Sequence, residues 1–189
     1  MLVKGAISRI VLRKILLEDA EKTMSWRISS DVTKYMYTDP ELTLNEQENW
    51  IEQINNDSRC RYWIIENGGV DIGVLGLTDI DYKNKRSNWI WYIGEMEYRG
   101  TGIAQQIQYN IYDYAFYHLG LNRLYSEVFA TNIRNLKAYE KSGYYIEGIL
   151  KEHVYKNGKF HDVAICGITR GQWEKMKSEV DYNKIYIEG

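Results

Sequence analysis

Apolar positions along the chain switch repeatedly between a two-residue and a three-to-four-residue period, which predicts alternating strands and helices. Residues 7–14 alternate as a first strand, and Leu17, Ala20, Met24 and Ile28 recur at helical spacing over 17–28. A turn region follows over 31–40. Thr43 and Glu46 have the spacing of a capping box, and Trp50, Ile51 and Ile54 give the helix that ends near residue 55 its apolar stripe. Residues 61–66 and 70–81 predict strands joined by a hairpin at Asn67-Gly68-Gly69, and Asn84-Lys85 turns into an aromatic, β-branched strand over 87–94. Ile103, Ile107, Ile111 and Tyr114 then mark a helix continuing into Ala115 and Leu119. A strand at 123–129 and a helix at 132–142, closed by Gly143, come next. Residues 144–155 and 160–168 pair around Lys156-Asn157-Gly158-Lys159. The polar tail predicts a last helix and a loosely held end over 172–189.

This order of elements reads as α/β (α+β) and as one domain over 1–189, with a core of about 7–170 and a tail at 171–189. No internal repeat or linker-like run interrupts it. A net charge of −2 leaves no basic footprint for nucleic acid or an anionic membrane surface. Absence of a long apolar run, and a charged start over 1–13 without a signal-peptide core, predict a cytoplasmic protein. Cys60 and Cys166 lie outside any metal-ligand spacing and read as reduced structural thiols, and no metal site is expected. The 17 Tyr and 6 Trp imply large aromatic surfaces, in a core or in a stacking pocket.

The most telling stretch for chemistry is Tyr98-Arg99-Gly100-Thr101-Gly102-Ile103-Ala104, between a strand and a helix. Its glycines and small alanine let a ligand approach the backbone, and the amides of the new helix attract anions. Glycines that serve the turn alone would look the same. Glu127 interrupts an apolar strand, where a half-buried carboxylate could act as a base; an outward-facing glutamate fits the pattern equally. Tyr139 lies on one helix face with Asn132 and Asn135, as either a proton donor or a core ring.

Two segments carry a resemblance that covers nearly the whole chain. Arg99-Gly100-Thr101-Gly102-Ile103-Ala104 is similar to the pyrophosphate loop of the GNAT superfamily of N-acetyltransferases. Asn132-Ile133-Arg134-Asn135-Leu136-Lys137-Ala138-Tyr139-Glu140-Lys141-Ser142-Gly143-Tyr144 resembles that family's later helix. The resemblance implies a mixed, mostly antiparallel sheet splayed near its middle, with helices on both faces, acetyl-CoA in the opening and direct amine attack on the thioester. It implies that amides of residues 99–104 hold the pyrophosphate, that main chain near Ile93 meets the pantetheine arm, and that Asn132, Asn135 and Lys141 lie toward the cofactor. Tyr139 would be the general acid and Glu127 the base.

A narrower resemblance, carried by Trp26-Arg27, Lys34-Tyr35-Met36-Tyr37-Thr38, Arg61-Tyr62-Trp63 and Thr78-Asp79-Ile80-Asp81, is to PseH-type enzymes. These N-acetylate a UDP-linked 4-amino-4,6-dideoxy sugar in pseudaminic acid biosynthesis. It implies that Arg27 meets the diphosphate and that Met36, Tyr37, Gln47, Trp50 and Thr78 line the acceptor pocket. Gln47 departs from the histidine those enzymes often carry. The alternatives are a polyamine or protein N-terminal amine acceptor, drawing on Glu41, Glu46, Glu48 and Asp79, and a non-catalytic CoA-binding module. A homodimer is compatible with all three.

Overall fold

The computed structural model describes residues 7–189; the reading of 1–13 therefore lies, for residues 1–6, outside the described residues. The strands are β1 (Ile10–Lys14), β2 (Arg61–Asn67), β3 (Val70–Asp81), β4 (Arg86–Ile93), β5 (Arg123–Phe129), β6 (Tyr145–Lys156), β7 (Lys159–Thr169) and β8 (Tyr186–Ile187). The helices are α1 (Ala20–Ile28), α2 (Ser30–Thr33), α3 (Leu44–Asn56), α4 (Ile103–Asp113), α5 (Ile133–Lys141) and α6 (Arg170–Met176). All eight strands form one sheet in the order β6-β7-β5-β4-β3-β2-β1-β8.

Alternation along β2 explains how both faces of the sheet are covered. Trp63 and Ile65 point into a core shared with Ile103, Ile107 and Ile111 of α4, while Ile64 joins Val74, Trp26 and Ile51 beneath α1 and α3. The β2–β3 hairpin closes through Gly68 and Gly69 at φ 61° and 83°, the positive values that a two-residue turn of this hand requires. Thr43 caps α3 and Glu46 returns the bond to the Thr43 amide (2.7 Å), completing the expected capping box.

Two expectations change. The turn region over 31–40 begins inside α2, and the helix expected to run to Leu119 leaves its regular form in a π turn over Tyr114–His118. The larger correction concerns the tail, which is tied down. β8 pairs in parallel with β1 (Val11 with Tyr186, Leu12 with Ile187), and the Trp63 indole donates to the Glu188 carbonyl at 2.7 Å. Asp113, the last residue of α4, accepts from Trp173 Nε1 (3.0 Å), Lys177 Nζ (2.6 Å) and Tyr182 Oη (2.5 Å), and from Lys184. Polar residues that read as solvated find one shared partner, which a hydropathy pattern does not register. Among the described residues no helix is long and apolar enough to cross a membrane, and no three His, Cys, Asp or Glu side chains cluster as metal ligands would.

Candidate active site

The site begins where β4 and β5 part. They run parallel and pair only through Arg86 with Arg123, Ser87 with Leu124 and Asn88 with Tyr125, so their remaining halves diverge. At the fork Ser126 Oγ donates to the Trp89 carbonyl (2.8 Å), and Tyr139 Oη donates to Ser126 Oγ (3.3 Å). Tyr139 is buried and stacks on Tyr144 with ring centroids 4.8 Å apart. Burial pushes its phenol up to about 12, with Ser126, Trp91 and Asn135 pulling the other way. The ring is therefore both core and proton-bearing at neutral pH. Ser126 was not singled out from sequence; its one signal is a hydroxyl amid the apolar positions of β5.

One end of the opening is an anion cradle. Gly100 and Gly102 take φ 83° and 91°, and Gly102 opens α4 with no side-chain cap. A Cβ built at Gly102 would meet only Ile7 Cδ1, at 3.9 Å, so the space over the first turn is open. Arg134 of α5 reaches the loop, its guanidinium 2.9 Å from where a Gly100 Cβ would stand. Uncapped first-turn amides at Ile103 and Ala104 beside a guanidinium fit a phosphate-bearing ligand. The cradle is narrower than expected. Arg99 spends its amide on the Met96 carbonyl (3.1 Å), and its guanidinium on the carbonyls of Ile93 (2.9 Å) and Gly94 (3.3 Å). Arg99 therefore pins the loop to the end of β4, and the Ile93 carbonyl has a partner already. Thr101 Oγ1 turns back to Tyr98. Asn132 caps α5 by accepting from the Asn135 amide (3.3 Å), Asn135 is half-buried a turn before Tyr139, and Lys141 is exposed on the last turn.

At the other end, the residues expected to meet the acceptor are held by other residues of the chain and not by one another. Arg27 donates to Thr38 Oγ1 (2.6 Å), and burial lowers its guanidinium. Gln47 is 5% exposed and donates to Thr23 (2.9 Å) between α3 and α1, so it is a helix staple. Trp50 packs edge-on against Tyr62, and the Thr78 carbonyl accepts from Ser87. Met36 is half-buried, its carbonyl taken by Lys156 (2.8 Å). Glu127 is exposed on β5, the outward-facing of the two settings its pattern allowed. It is not alone: Tyr37 Oη donates to it at 2.8 Å, and burial with that carboxylate pushes the Tyr37 phenol upward.

A sheet opened between parallel strands, with an uncapped glycine-led helix at its mouth and a buried phenol at the fork, defines a fold that grips a phosphorylated acyl carrier by its backbone. Residues 9–145 match the model of the acetyltransferase (GNAT) domain, and the chain belongs to that family of acetyl-CoA-dependent N-acyltransferases. It is similar to the uncharacterized N-acetyltransferase p20 of Bacillus licheniformis, 29% identical over 171 residues that cover 87% of this chain and 95% of that one. It is also similar to the spermidine N(1)-acetyltransferase of Vibrio cholerae, 26% identical over 167 residues covering 88% and 96%. The crystal structure of spermidine N-acetyltransferase from Vibrio cholerae in complex with CoA and spermine shares the fold, with a TM-score of 0.83 at 24% identity over 88% of this chain and 98% of that one. The substrate named for these Vibrio cholerae proteins is a polyamine, so the narrower likeness to nucleotide-sugar acetyltransferases gains nothing from them.

Proposed function

We propose that the protein acetylates a primary amine of a small cationic acceptor of the polyamine class. The observation that carries this reading is the acceptor end of the opening. Arg27, the cation a diphosphate would need, is bound to Thr38, while an exposed carboxylate, Glu127, stands one residue from the fork. A carboxylate attracts an ammonium and can accept its proton; a diphosphate would be repelled there. Relatives that act on spermidine support the same choice.

Acetyl-CoA supplies an activated acyl carbon, its pyrophosphate held by the first-turn amides of α4 beside Arg134. Glu127 takes the proton that must leave the ammonium before nitrogen can attack, directly or through one water. As the C–N bond forms and the C–S bond breaks, the nitrogen loses its second proton to solvent, and Tyr139 gives its proton to the departing sulfur and regains one from solvent. Ser126 fixes the direction of that phenol. A phenol near 12 stays protonated at physiological pH, as an acid must, and a thiolate bound beside it is the base it serves.

Thiol release measured across spermidine, spermine, putrescine, a peptide with a free N-terminus and a UDP-4-amino sugar tests this. The expected result is turnover of polyamines with no inhibition by uridine diphosphate. Efficient acetylation of the UDP-amino sugar, with competition by uridine diphosphate, would replace this reading with the nucleotide-sugar one.

A further inference from the structure

The turn over 33–39 is tied to the far edge of the sheet by one buried cation. Lys156, the last residue of β6, is 8% exposed. Its ammonium donates to the carbonyls of Thr33 (2.6 Å) and Met36 (2.8 Å) and pairs with the Asp39 carboxylate (2.9 Å). An ammonium has three donors, and these acceptors use all of them. The second Asp39 oxygen accepts from Asn157 (3.1 Å), the next residue of the β6–β7 hairpin. Thr33 and Met36 lie 123 and 120 positions from Lys156 in sequence, so the cation joins two distant parts of the chain.

What the tether holds in place is Tyr37. Its hydroxyl is on Glu127, and its ring packs on Phe129 at 5.3 Å. Phe129 in turn packs on His161 at 5.1 Å, and His161 Nε2 lies 3.2 Å from the Lys156 carbonyl. Cation, turn, phenol and carboxylate thus close a ring around the end of β5. We propose that Lys156 is a positioning residue for the acceptor: by holding the turn against the hairpin it sets Tyr37 on Glu127 and fixes the acceptor-side wall of the opening. This rests on the acetyl-transfer reading for its kinetics, and on the fold alone for the motion of the turn.

The test is Lys156→Met, which keeps most of the length of the side chain and removes its charge and donors. Hydrogen exchange of amides over 33–39 should quicken on the order of tenfold, with those of α4 unchanged. With whichever amine the native enzyme acetylates best, the acceptor KM should rise about tenfold while the acetyl-CoA KM stays within about twofold. Adding Tyr37→Phe should then cost little more, because both changes part Tyr37 from Glu127. Lys156→Arg should recover part of the loss. Unchanged exchange over 33–39, a parallel rise of both KM values, or fully multiplicative losses in the double variant would overturn the proposal. If Lys156→Met does not fold, Asp39→Asn retains the cation and should show the same pattern at smaller size. If no amine in the panel is acetylated, the fault lies with the acceptor reading, and the exchange measurement alone decides the role of Lys156.

Discussion

The two ends of the opening are built from different materials. At the proposed cofactor end the backbone sets the geometry: two positive-φ glycines, an uncapped first turn and a strand that ends against Arg99. At the acceptor end side chains hold the geometry, through Arg27 to Thr38, Lys156 to Asp39 and Tyr37 to Glu127. A backbone site tolerates much change in its neighbours but little at its glycines. A side-chain site can be retuned by one substitution.

The sharpest way to break this comparison acts between the ends, at the phenol they share. Tyr139→Phe should lower kcat by about a hundredfold, the scale of a lost proton donor, with acetyl-CoA affinity unchanged by calorimetry. Turnover at the native rate would return the ring to a purely packing role. Gly102→Asp places a charge at the proposed pyrophosphate site and should weaken acetyl-CoA more than about tenfold, whereas Gly102→Ala, strained by its φ of 91° but free of clash, should cost stability of about 1 kcal/mol. Equal acetyl-CoA affinities for the two variants would mean that the cradle binds by shape and not by charge.

Asp113 tests whether the tail braces the cofactor end. Burial raises its carboxyl, but Lys177, Lys184, Tyr182 and Trp173 outweigh it and hold the group at about 2, below its ordinary 3.8. A depressed folded value means stability that is fully present above about pH 4 and lost as pH falls toward 2. For a group only partly shielded from solvent this amounts to about 1 kcal/mol, or a fall of about 2 to 4 °C in Tm for Asp113→Asn at pH 7. The gap between variant and native melting curves should close as pH falls through that window. The smallest effect is expected at Arg27. With its guanidinium committed to Thr38, Arg27→Ala should change either KM by less than about threefold, far from the ten- to hundredfold loss of a phosphate clamp.

The same contrast explains what the sequence made legible. The glycine turn into α4 and the end of α5 were readable because glycine positions report backbone conformation, which is local. The meander was readable because Asn67-Gly68-Gly69 admits few turns. The partners of Arg27 and Gln47 were not readable because a side chain's use depends on what it meets: Thr38 lies eleven residues from Arg27 and Thr23 lies in another helix. Lys156 looked like a hairpin residue, and its acceptors lie some 120 positions away. Glu127 was identified as a carboxylate in search of a partner, and Tyr37 is one, yet the exposed face of β5 supplies it and not the core.

The short strand β8 bears on how the chain comes off the ribosome. Lys14 and the Glu188 carboxylate that its amide reaches are 174 residues apart. At about 5 to 20 residues per second, roughly 10 to 35 s of synthesis separate them. Throughout that interval the outer edge of β1 has no neighbour, and an open edge is where nascent chains pair with one another. Slower growth or a lower copy number of nascent chains should therefore raise the yield of folded protein more than it would for a chain whose edge strands are neighbours in sequence.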